Sequence, residues 1–161
     1  MQQEKKQKAI GRPIDRFYKC WLEDKNNGVL LNRCRGINHR QYITADKISR
    51  SYYKAFACDN YSINKLRSNV NFVEDYVLYR VDTRAHYLHE HKRVFLKLQK
   101  KSQAIITHIC LLELPLRKYE SLQKSGWSRD DTMSCLRIAL DELAEIYTNL
   151  PQIQKSKNTN F

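Results

Sequence analysis

Ile14, Phe17, Tyr18 and Trp21 recur at spacings of three and four, which predicts a short amphipathic first helix opened by Pro13. "KNNG", residues 25–28, ends it with a glycine just past the last turn. Residues 29–43, "VLLNRCRGINHRQYI", hold an apolar patch, three arginines and a glycine, and read as a loop with one brief turn or strand. Thr44 is the expected N-cap of a second helix, with Asp46 in its first turn. Ile48, Tyr52 and Phe56 recur every four residues and predict a shared buried face. A polar break follows at 58–60, where Asp59 or Asn60 can cap a third helix whose Ile63 and Leu66 face inward.

From Val73 to Leu112 the apolar positions keep roughly helical spacing, predicting one long helix or two in tandem, interrupted at 81–83. No strict heptad persists, so a regular coiled coil is not required. Pro115 demands a kink or a restart. Gly126 ends the preceding element, Ser128 caps the next, and Asp130 and Asp131 occupy its first turn. Met133, Leu136, Ile138, Leu140, Leu143 and Ile146 make that last helix strongly apolar. Residues 1–11 and 151–161 are polar and predict flexible tails, the first of them basic.

Composition agrees with helix. The 161 residues include only four Gly and three Pro, too few for the many tight turns of a β-sandwich. Charge adds more. The net +12 lies wholly in residues 1–111, where 22 Lys/Arg face 10 Asp/Glu, while residues 112–161 carry seven of each. A polyanion-binding front with a neutral, protein-facing rear accounts for that asymmetry. Five cysteines without a C-x-x-C pair, after an N-terminus lacking an apolar targeting core, predict reduced thiols and a cytoplasmic location, nucleoid-associated in a bacterium. The longest apolar run is too short to span a bilayer, so no membrane partner is expected.

"YYKAFACDNYSINKLRS", residues 52–68, concentrates the candidate chemistry. With Ile63 and Leu66 facing the core, Asn60, Tyr61, Asn64, Lys65 and Arg67 point away from it. Asn pairs with adenine edges, and Arg or Lys with guanine or phosphate. Lys47, Arg50 and Lys54 on the preceding helix, and Arg33, Arg35 and Arg40 on the loop before it, are placed to hold the DNA backbone and fix register. Across residues 49–68 the stretch resembles the helix-turn-helix of phage repressors and small mobile-element regulators. Ala57 is then the turn residue, Cys58 the apolar residue after it, and "SINKL", residues 62–66, the centre of the recognition helix. Two departures stand out: the turn has no glycine, and Tyr53 occupies a position where that family favours a small alanine.

The resemblance implies an all-α fold, with a small helix-turn-helix head, a long helical arm and C-terminal helices. The expected division is a flexible basic tail (1–11), a DNA-binding head (12–72), an arm for oligomerisation or partner binding (73–150) and a flexible tail (151–161). It implies sequence-specific binding to double-stranded DNA, as a transcription regulator or as an accessory factor in transposition or integration. A homodimer or a recombinase partner would engage residues 73–150. The alternatives are an RNA-binding or ribonucleoprotein-assembly protein, which uses Tyr and Arg to stack and to hold phosphate, and a non-enzymatic helical adaptor.

Other patterns add little. Gly11-Arg12-Pro13 matches the centre of a minor-groove AT-hook but lacks the flanking arginine, so Pro13 is taken as the helix opener. "HYLHEHK", residues 86–92, offers three histidines and a glutamate without zinc spacing, and is taken as a solvated, partly basic helix surface. No phosphate-binding loop, G-x-S-x-G elbow or magnesium-holding carboxylate cluster is present, so neither catalysis, metal nor cofactor is expected.

Overall fold

The computed structural model describes residues 11–57, 84–123 and 126–150. Those residues form six helices and no strand, so the fold is all-α. They are α1 (Pro13–Asn26), α2 (His39–Tyr52), α3 (residues 84–95), α4 (Lys100–Ile106), α5 (Leu116–Ser121) and α6 (Arg129–Asn149). Both α2 and α4 run on into a π-helical turn, Tyr53–Ala57 and Thr107–Leu111 respectively.

Several boundaries lie where the local chemistry puts them. Proline stands at the first turn of α1, and Gly28 follows its end at φ 78°. Pro115 precedes α5 after a reversal in which Glu113 takes φ 53°. Ser128 and Asp131 form a reciprocal capping box at α6, the Asp131 N–H donating to Ser128 Oγ at 3.2 Å and the Ser128 N–H to Asp131 Oδ2 at 2.8 Å.

The start of α2 corrects the expected one. The helix begins at His39, six residues before the position following Thr44, because Asn38 and Gln41 make a capping box. The Gln41 N–H donates to Asn38 Oδ1 at 2.9 Å, and the Asn38 N–H donates to Gln41 Oε1 at 3.0 Å. Thr44 instead sits inside the helix and returns its hydroxyl to the Arg40 carbonyl at 2.8 Å. Residues 29–38 remain a loop of turns. It is tied to α1 where the Ile37 N–H donates to the Phe17 carbonyl and Gly36, at φ 75°, passes against that peptide.

The expected run from Val73 to Leu112 breaks at 96–99. Residues 58–83, which include the expected interruption at 81–83, lie outside the described residues. Glu142 of α6 holds the break: it accepts from the Gln99 N–H at 2.8 Å and from Ser102 Oγ at 2.5 Å.

One core crosses the expected boundary at residue 72. Ile14, Phe17, Ile37, Ala45 and Ile48 pack with Val94, Leu98, Ile105, Ile109, Leu136, Leu140 and Leu143. α6 packs against α2, α4 and α5, and Ser49 of α2 donates to the Cys110 carbonyl at 2.7 Å, one of the carbonyls left over at a helix end. Of the predicted buried face of α2, Ile48 is fully buried and Tyr52 half-buried, whereas Phe56 is 43% exposed. Ile138, one of the residues that make the last helix apolar, is 67% exposed. Cys20, Cys34, Cys110 and Cys135 are free thiols, and no helix of the described residues is long and apolar enough to cross a membrane.

Candidate nucleic-acid interface

The early start of α2 has a consequence for its surface. Positions 40, 43, 47, 50 and 54 follow one another at spacings of three and four, and all five are exposed. They are Arg40, Ile43, Lys47, Arg50 and Lys54, so the helix and its π-helical turn carry a cationic row. Arg40 was expected on a loop; it belongs to this helix, one turn before Ile43.

Neighbouring elements aim two of the four cations, and α2 itself holds a third. Lys47 Nζ lies 4.1 Å from the ring centroid of Tyr147 on α6. Burial pushes the Tyr147 hydroxyl above its ordinary range, so the ring stays neutral beneath the ammonium. Lys54 Nζ stands 4.6 Å from the Tyr87 ring centroid and donates to its hydroxyl at 3.1 Å. Arg50 meets Asp46 at 2.7 Å one turn back, yet its side chain is 73% exposed. The Asp46 side chain, only 19% exposed, keeps a second cation in Arg12, so the exposed Arg50 guanidinium can exchange to a phosphate without leaving the carboxylate unpaired. Asp46 also accepts from Arg12 Nη1 at 2.8 Å, which leaves that carboxylate shared between two guanidinium groups.

Arg33 and Arg40 are exposed and make no ion pair among the described residues. Arg35 differs. Its Nε and Nη2 close on both oxygens of Asp24 at 2.8–3.2 Å, and its own N–H donates to Oδ2 at 2.7 Å. Hydrogen bonds from Arg35 hold the Asp24 carboxyl down at about 2. Arg35 therefore clasps the loop to the end of α1, with its fork already filled. Arg12, the centre of the AT-hook-like triplet, is similarly engaged by Asp15 and Asp46.

The positions expected to read bases, Asn60, Tyr61, Asn64, Lys65 and Arg67, lie outside the described residues, as does Cys58, whereas Ala57, the expected turn residue, is the last residue of the π-helical turn Tyr53–Ala57. Tyr53, the departure from the repressor pattern, is 60% exposed.

The histidine-rich stretch corrects the expectation of a solvated surface in one place. His86 faces Glu90 at 3.9 Å and is exposed, but His91 is 6% exposed and sits among Tyr52, Phe56 and Phe95, stacked on the last at 5.3 Å. Its Nδ1 has no hydrogen-bond partner among the described residues, and burial lowers its pKa. Spacing could have found it: His91 and Phe95 are four apart, and Val94 and Leu98 lie on the same buried side.

Comparison with known proteins finds no matching family model, no matching curated protein and no matching solved structure.

Proposed function

We propose that this chain is a sequence-specific double-stranded DNA-binding protein, acting as a transcription regulator or as an accessory factor of a mobile genetic element. What carries the proposal is the exposed row Arg40, Lys47, Arg50 and Lys54, which leads along α2 toward the segment whose sequence resembles a recognition helix. Fourteen residues of helix span about 21 Å, over which one strand of duplex DNA presents about six phosphates. α2 lies along the backbone and sets the register, while Asn60, Tyr61, Asn64, Lys65 and Arg67 read base edges. Pairing of two chains through residues 73–150 brings two readers to successive major grooves.

Selection from a randomised duplex library, followed by fluorescence anisotropy across a salt series, tests this. Arg40→Ala/Lys47→Ala lowers affinity for every sequence alike and reduces the salt slope by about 2, near 0.9 per phosphate contact. Asn64→Ala/Arg67→Ala instead loses about 1–3 kcal/mol at particular base pairs. Absence of any recovered motif, together with a salt slope that neither pair changes, refutes the proposal.

A further inference from the structure

The rear of the chain, neutral by count, is not neutral in space. A cleft of about 670 Å³ opens between the first two turns of α1 and the start of α5, reached also by Arg129 at the start of α6. Arg16, Arg117, Lys118 and Arg129 stand around it, all exposed, with Glu120 as the one carboxylate. None of the four cations makes an ion pair among the described residues. The floor is apolar, formed chiefly by Phe17 and Leu116, each 8% exposed.

That combination selects its occupant. Four like charges converging on one concavity repel one another unless an anion lies between them. A concave site of 300–1,000 Å³ is the size that encloses a small organic ligand, whereas duplex backbone is met by projecting side chains. The cations demand phosphate, and the apolar floor demands a flat or apolar body attached to it. We propose that this cleft binds a nucleotide, its phosphates on Arg16, Arg117, Lys118 and Arg129 and its base over Phe17 and Leu116. The nucleotide comes either free or as one unit of a single-stranded nucleic acid. The site is separate from the row on α2 and does not rest on duplex recognition.

Isothermal titration of the full chain with pyrophosphate, ADP, a single-stranded oligonucleotide and a duplex tests the assignment. ADP binds more tightly than pyrophosphate, and Arg117→Ala/Arg129→Ala weakens ADP at least tenfold, whereas Arg40→Ala/Lys47→Ala leaves it unchanged. All four positions are exposed, so the variants fold, which circular dichroism verifies. Loss of oligonucleotide binding in the cleft variant without any ADP binding to the parent chain assigns the nucleotide to a single strand. Cleft-dependent binding of ADP assigns it to the free form. Equal affinity for pyrophosphate and ADP removes the base from the cleft and overturns the proposal. So does nucleotide binding that the cleft variant leaves intact, or no binding of ADP and oligonucleotide alike. A duplex affinity lost in Arg40→Ala/Lys47→Ala alone bears on the α2 proposal and leaves this one standing.

Discussion

Gly36→Ala should be among the most damaging single-methyl changes in this protein. Gly36 sits at φ 75°, and a Cβ built there would lie 1.9 Å from the Phe17 carbonyl oxygen and 2.8 Å from its carbon. Neither atom belongs to a flexible side chain; both are backbone of α1. The left-handed conformation alone costs an L side chain about 1–2 kcal/mol. Relieving the contact requires the loop to move off α1, which breaks the Ile37 N–H bond to Phe17 and the 2.7 Å bond from Arg137 Nε to the Gly36 carbonyl. A hydrogen bond from a charged donor contributes about 1.5–3 kcal/mol, so the whole change comes to about 3–5 kcal/mol. Gly28 is the control: its φ is 78°, but nothing lies within 4 Å of an added Cβ. Gly28→Ala should therefore cost only the conformational part, about 1–2 kcal/mol. Urea unfolding followed by circular dichroism separates them. With a slope near 2 kcal/mol/M, the midpoint falls by about 2 M for Gly36→Ala and by about 0.5–1 M for Gly28→Ala. Equal shifts for the two would mean that the Phe17 peptide gives way freely, and the account of the loop would be wrong.

Acid should act on the protein through two groups of opposite kind. His91 is buried with its pKa lowered, so above the unfolded value of about 6.5 its environment costs nothing, and below it the unfolded chain gains a proton that the folded chain resists. Stability thus falls as pH drops from about 6.5 toward the folded-state pKa, and His91→Phe flattens thermal-melt profiles between pH 7.5 and 5.5; unchanged profiles would remove His91 as the cause. Asp24, held at about 2 by Arg35, stabilises the fold above its ordinary carboxylate pKa and ceases to do so as pH falls toward 2. Asp24→Asn should accordingly lower stability at pH 7 and converge with the parent chain near pH 2, which denaturant titrations at the two pH values check. Ser128→Ala removes the acceptor for the Asp131 N–H and should cost about 1 kcal/mol by urea midpoint, with an equal loss in Ser128→Gly counting against a capping role. Leu140→Ala empties a fully buried position on α6 and should cost about 2–5 kcal/mol in the same assay.

The elements that were legible in the sequence are those whose ends are set by local chemistry. Pro13, Gly28, Pro115 and the Ser128–Asp131 box all act within four residues of the boundary they define, so the boundary shows in the string; Gly126 does not, because α5 already ends at Ser121. The start of α2 is equally local, but its box is built from Asn38 and Gln41, a less familiar pair than the threonine six residues later. The break at 96–99 has no such mark. It lacks Gly and Pro, and the partner that stabilises it is Glu142, more than forty residues away. Charge behaves in the same way. Summing by segment picks out residues 1–111 as basic and the rest as neutral. Folding then splits that basic total. Arg12 and Arg35 are turned onto Asp15, Asp46 and Asp24, and α2 keeps its row on the outside. Arg117, Lys118 and Arg129 leave their neutral segment to join Arg16. A helix stripe is periodic and can be read from spacing, whereas a cleft made by α1, α5 and α6 depends on which helices meet. The cationic row and the cleft are therefore different kinds of prediction: the first follows from residues 40–54 alone, the second only from packing that places Arg16 beside Arg117, Lys118 and Arg129.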